Sequence, residues 1–242
     1  RILFVMWCLL PASTTFAFTH ADTLRGSNGN GRNWWDVQRY NLNVAFDIPG
    51  KSINGSVFIS FKVLKTAGDS MQIDLQDPMV IDSAYIVNPT SGALAGLTRV
   101  NYVKDGNTWW MIHKFSDLAP GKSSGMIIHY HGKPKVAINP PWQGGFTWSK
   151  DANGNPWVSV SCQGLGASVW WPCKDAQWDE PDNGMFFNYD IPESLKLISN
   201  GTLMQPQKAG KGRWYVKNPI NTYDVSFYIG DYVQWSDTLM GE

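Results

Sequence analysis

The sequence predicts an all-β fold, a curved multi-sheet sandwich of mostly antiparallel strands. Three observations predict it: an apolar/polar alternation in two runs joined by a Pro-Gly turn, a succession of short strand-like runs separated by turn signals, and no helical period persisting beyond a turn or two.

The hairpin is the clearest of these. Tyr40, Leu42, Val44 and Phe46 alternate with Asn41, Asn43 and Ala45, and beyond Pro49-Gly50 the set Ile53, Gly55, Val57, Ile59, Phe61 and Val63 alternates again. Successive side chains of a strand point to opposite faces, so this pattern gives both runs one buried face. A Pro-Gly turn between them folds the second run back on the first. Further strand-like runs follow at 71–75, 84–87, 99–104, 108–113, 126–130, 157–161, 195–199, 213–216 and 222–229. Asp105-Gly106-Asn107, Pro120-Gly121, Asn153-Gly154-Asn155-Pro156, Asn200-Gly201 and Gly210-Lys211-Gly212 punctuate them as turns. No internal repeat accompanies the strands, which argues against a propeller.

Composition sets the outer bounds. A chain of 242 residues, 43% of them hydrophobic, has the length of one large or two ordinary domains and the means to build a core. Its 20 basic and 20 acidic residues cancel and no basic run stands out, so nucleic-acid partners and anionic membrane surfaces are not expected. With 13 Trp, 9 Tyr and 11 Phe, the chain is too aromatic for intrinsic disorder.

The ends read differently from the middle. Arg1 precedes an apolar run from Ile2 to Leu10, and Thr15 and Ala17 supply small residues for a cleavage point, so residues 1–17 are read as a secretory signal peptide. The run falls short of the roughly 20 apolar residues of a membrane span, and Val5-Met6-Trp7 lacks the small residues a lipoprotein signal places before its cysteine, here Cys8. An exported protein, periplasmic or extracellular, is expected. Residues 18–33 are polar and Gly/Asn-rich and read as a flexible leader. The β domain is expected over 34–232, with 233–242 as the start of a further domain.

A search for chemistry within the chain returns little. No H-E-x-x-H motif is present. His129 and His131 flank Tyr130 on a predicted strand and share a face, but with no third ligand nearby they are read as polar residues of a solvated face. No G-x-S-x-G elbow occurs, and Ser168 leads into Val169-Trp170-Trp171, which looks like buried strand. Cys162 and Cys173 have no identifiable basic partner and are expected as buried thiols or a single disulfide. Asp175, Asp179, Glu180 and Asp182 do not match a calcium loop and read as a solvated loop. The pairs Trp34-Trp35, Trp109-Trp110 and Trp170-Trp171, read as strand residues, place one ring on each face. An alternative function follows from them, a secreted carbohydrate-binding or surface-interaction module that stacks sugars on exposed Trp.

One stretch is more specific. Asn139-Pro140-Pro141-Trp142-Gln143-Gly144-Gly145-Phe146-Thr147-Trp148 leads through a turn into Val158-Ser159-Val160-Ser161-Cys162-Gln163-Gly164-Leu165-Gly166-Ala167, then Trp170-Trp171-Pro172-Cys173-Lys174-Asp175 and Glu180-Pro181-Asp182. This resembles the amino-terminal β domain of the M1 family of zinc aminopeptidases (gluzincins), especially exported bacterial members. There a strand bearing Gln or Glu precedes a Pro-Cys-x-Asp or Pro-x-x-Asp segment, and the likeness runs from about Trp35 to the segment Thr222 to Tyr232. The resemblance implies that Gln163 reaches into the active-site cleft and holds the free α-amino group of a peptide substrate, a mostly buried anchor whose carbonyl accepts from an ammonium. Ser161 stands where many members place another Gln, and Gln163 in place of Glu is a neutral, weaker anchor. The resemblance also implies zinc in a downstream catalytic domain carrying the zinc helix and the exopeptidase motif, neither of which this chain contains. No catalytic residue, metal ligand or cofactor is expected within the chain itself, which is expected to be inactive alone.

Overall fold

The alternation of the predicted hairpin is realised residue by residue in the computed structural model, which describes residues 18–87 and 96–238. Strands β1 (Trp35–Asp47) and β2 (Ser52–Val63) pair antiparallel with Tyr40 opposite Ile59, Leu42 opposite Val57 and Phe46 opposite Ile53. Every residue of the two alternating sets is buried except Gly55, which is half-buried. The signal-peptide reading of 1–17, with Cys8, lies outside the described residues.

The remaining strands are β3 (Ser70–Asp74), β4 (Val80–Val87), β5 (Leu97–Asp105), β6 (Thr108–Ile112), β7 (Ser123–Gly132), β8 (Gly145–Lys150), β9 (Pro156–Ser161), β10 (Met185–Asp190), β11 (Lys196–Ser199), β12 (Thr202–Lys208), β13 (Lys211–Val216) and β14 (Phe227–Gly230). Of the fourteen strands among the described residues, ten follow the order β12-β13-β10-β1-β2-β7-β4-β5-β6-β3, and four follow β11-β14-β9-β8. Among the described residues, every pairing between two of these strands is antiparallel except that of β10 with β1, and a single parallel bridge joins Val136 to Phe146. β5 pairs with β4 through Val100 and with β6 from Asn101 onward, so one strand carries the chain around a corner. The result is the expected curved, mostly antiparallel multi-sheet sandwich.

An aromatic core joins the sheets. Phe46 of β1 meets Phe227 of β14 at 4.9 Å, and Trp170 packs on Phe146, Phe187 and Phe227 at 5.4–6.2 Å, largely edge to face. Such contacts add about 0.5–1.5 kcal/mol each beyond the area they bury.

Several expectations change. Trp34-Trp35 and Trp170-Trp171 do not divide between two faces; all four rings are at most 1% exposed. Trp34 precedes β1, and Trp170 and Trp171 lie in an irregular segment, so strand alternation does not govern them. Ser168 is buried, but in a single 3-10 turn, Ala167–Val169, rather than a strand. The 222–229 run divides into a 3-10 turn at Thr222–Asp224 and β14. Within residues 18–33, read from the sequence as a flexible leader, a helix α1 (His20–Gly26) forms behind a capping box: Asp22 N donates to Thr19 Oγ1 at 3.2 Å, and Thr19 N to Asp22 Oδ2 at 2.8 Å.

Candidate functional site

The segment that carries the specific motif is fixed from several sides. β9 ends at Ser161, and the chain turns back as Leu165 and Gly166 donate to the Cys162 carbonyl at 3.0 and 2.8 Å. Gly164 and Gly166 take φ of 72° and 86°, a region open to glycine. Gln163 therefore stands in the turn beyond the strand rather than on it, and its side chain is exposed rather than mostly buried. Its own carbonyl accepts from Gly144 N at 2.9 Å, which ties the turn to the loop before β8.

Behind the turn lies a buried ionic lattice. Asp74 at the end of β3 pairs with Arg32, accepts from Asp175 N at 3.0 Å and from Gln72 Nε2 at 3.0 Å, and exchanges backbone bonds with Cys173. Burial pushes the Asp74 carboxyl up from its ordinary value despite the attraction of Arg32. Lys174, 3% exposed, pairs with Asp179, donates to the Trp35 carbonyl at 2.6 Å and lies 4.4 Å from the Trp35 ring centroid. Burial pulls its ammonium down from the ordinary value, against the opposing pull of Asp179. Asp175 accepts from Ser168 Oγ at 2.6 Å and Ser168 N at 3.2 Å. Asp182 accepts from Gln38 at 2.8 Å. The expected solvated acidic loop is thus in part a structural brace: Asp179 is buried, and the carboxylates spend their acceptors on the chain's own donors.

Above this lattice opens a cavity of about 490 Å³ lined by Asp22, Arg25, Gln163, Asp175, Gln177, Trp178 and Tyr223. A neighbouring cavity of about 200 Å³ shares Asp22, Arg25 and Asp175 with it. Helix α1 forms a wall of both. Arg25 Nη1 donates to the Gly164 carbonyl at 3.1 Å, Gln72 Nε2 to the Leu24 carbonyl at 2.8 Å, and buried Arg32 to the carbonyls of Arg25 and Ser27 at 2.7 and 3.2 Å. Inside the cavity the Tyr223 hydroxyl donates to Gln163 Oε1. Sequence reasoning singled out Gln163 and Asp175 but not Arg25, Trp178 or Tyr223. The Thr19-His20-Ala21-Asp22 spacing is the one signal that announces α1.

The other candidates stay apart from this cavity. His129 and His131 are exposed on β7, and His131 Nδ1 lies 2.7 Å from Asp82. Among the described residues, no group of three or more His, Cys, Asp or Glu is placed to hold a metal ion, so the residues at hand do not fit a zinc centre. Cys162 and Cys173 are free and buried. Burial, with Asp175 nearby, pushes the Cys162 thiol up to about 12, and Cys173 rises for the same reasons. Neither is a nucleophile at neutral pH. Exposed indoles are found at Trp142, Trp178 and Trp235 rather than in the Trp pairs from which the carbohydrate reading started, and that reading is not favoured.

No protein-family model and no curated protein matches the chain. Solved structures do. Native yeast LTA4 hydrolase aligns over 82% of this chain and 29% of its own, at a TM-score of 0.65 and 15% identity. An M1 zinc metallopeptidase from Deinococcus radiodurans aligns over 85% of this chain and 44% of its own, at 0.65 and 18%. A mutant of that protein bound to a Tyr-Ser-Ala substrate aligns over 85% and 44%, at 0.63 and 19%. The chain thus spans about a third to somewhat under half the length of these proteins. What it shares with them is a fold: that of the amino-terminal β domain of M1 zinc metallopeptidases.

Proposed function

We propose that this chain is the amino-terminal β domain of an exported zinc metallo-aminopeptidase, and that Gln163 anchors the free α-amino group of its peptide substrate. The observation that carries the reading is the exposed Gln163 side chain, standing in a cavity at the end of β9 in a fold shared with M1 zinc metallopeptidases. An amide oxygen accepts from an ammonium, and the cavity sets two carboxylates, Asp22 and Asp175, against one guanidinium, Arg25, which donates to the Gly164 carbonyl.

In this reading zinc and the hydrolytic groups belong to a catalytic domain beyond this chain, which supplies binding and orientation only. The chain alone is inactive. That domain packs against the Gln163 turn, where Trp178, 53% exposed, lines the same cavity and Trp142, 75% exposed, stands in the loop that Gly144 N ties to the Gln163 carbonyl. The short apolar run at residues 2–10 directs export.

A hydrogen bond to a charged group is worth about 1.5–3 kcal/mol, which corresponds to roughly 10- to 150-fold in affinity. Gln163→Ala in the full-length enzyme is expected to raise KM for free-amino peptides by a factor in that range. An unchanged KM refutes the anchor. Separately, hydrolysis of amino-acid anilides by the isolated 18–242 chain contradicts the assignment of catalysis to another domain.

A further inference from the structure

We infer that Tyr223 is the positioning residue of the amino-group anchor: its hydroxyl holds Gln163 in the rotamer that presents the amide to the cavity. The inference rests on the reading of Gln163 given above and extends it to a second residue.

An exposed Gln in a turn ordinarily samples many rotamers, and freezing it on substrate binding costs affinity. Here that freedom is removed beforehand. The Tyr223 hydroxyl, from a residue 60 positions away, donates to Gln163 Oε1. The tyrosine is itself placed by a built turn. Thr222–Asp224 is a 3-10 turn capped by Asn221, whose Oδ1 accepts from Tyr223 N at 3.0 Å and whose Nδ2 donates to the Gln177 carbonyl at 2.8 Å. Gln163 is pinned at its main chain by Gly144 N. A hydroxyl donor on Oε1 leaves the second oxygen lone pair for an incoming ammonium. The amide NH2 has no partner among the described residues and is free to meet a substrate carbonyl.

The test uses the full-length enzyme carrying this domain and a pair of competitive inhibitors, an amino-acid amide and its analogue lacking only the α-amino group. Tyr223→Phe removes the hydroxyl and keeps the ring. It is expected to raise KM and the inhibition constant of the amino-bearing compound by about 3- to 10-fold, the worth of a neutral hydrogen bond. The analogue's constant and kcat should stay within about 2-fold. In a Gln163→Ala background, Tyr223→Phe is expected to add nothing.

Tyr223→Phe overturns the inference if it leaves KM unchanged while Gln163→Ala raises it, if it weakens both inhibitors equally, or if its effect persists without Gln163. If Gln163→Ala itself changes nothing, the anchor reading falls, and this inference with it.

Discussion

Gly166 concentrates the backbone demands of the site in one residue. Its φ is 86°, and a Cβ there meets Asp175 Oδ2 at 2.2 Å, an atom already engaged by Ser168. Gly166→Ala is expected to cost about 1–3 kcal/mol of stability, read as a lower urea midpoint at unchanged slope. Cys162 makes the complementary point about chemistry. A thiol pushed up to about 12 and enclosed in the core leaves a negligible thiolate fraction at neutral pH. Native protein is expected to resist a disulfide reagent at both Cys162 and Cys173, with both labelling in urea. Rapid native labelling would contradict the burial.

Among the elements, the β1–β2 hairpin and α1 are held by opposite kinds of force. The hairpin buries a continuous apolar face, and Phe61, fully enclosed against Trp34 and Trp35, is expected to cost about 3–5 kcal/mol as Phe61→Ala. Helix α1 buries none of its own residues and, at 7 residues, is too short to stand alone. It persists because Arg32, Gln72 and Arg25 bond its last turn and the carbonyl of Gly164. Arg32→Met removes two of those bonds and leaves Asp74 buried without its cation, a loss of about 3–5 kcal/mol. Relative to β1 and β2, hydrogen exchange should find the amides of α1 deprotected earlier in Arg32→Met than in the wild type; unchanged protection would show that Arg32 does not hold the helix.

At the scale of the whole molecule, the ionic lattice beneath the cavity imposes a pH dependence. Asp74 has a folded-state pKa above its ordinary value of 3.8, chiefly through burial. Its contribution to stability is therefore complete below pH 3.8 and is lost as pH rises through the folded-state value. The stability of the wild type minus that of Asp74→Asn is expected to be larger near pH 4 than near pH 7, as read from paired urea titrations. A difference that grows towards neutral pH would show that the Arg32 pair outweighs desolvation.

The sequence by itself determined the fold class, the hairpin and most strands, because side chains that alternate between water and core leave a period that needs no partner to be read. Where that period was absent or interrupted, the sequence was silent. β12 lies at a sheet edge, contains Pro206 and is almost wholly exposed, so it carries no apolar alternation. β10 does alternate Met185, Phe187 and Tyr189 towards the core, but it pairs in parallel with β1 from far along the chain, with no turn to announce it. The motif around Gln163 was legible; what surrounds it was not. Only the tertiary structure brought Tyr223, Arg25 and Trp178 to that turn and spent the carboxylates of Asp175 and Asp179 on internal donors. Those placements depend on hydrogen bonds and ion pairs between residues far apart in sequence, and no local pattern encodes them.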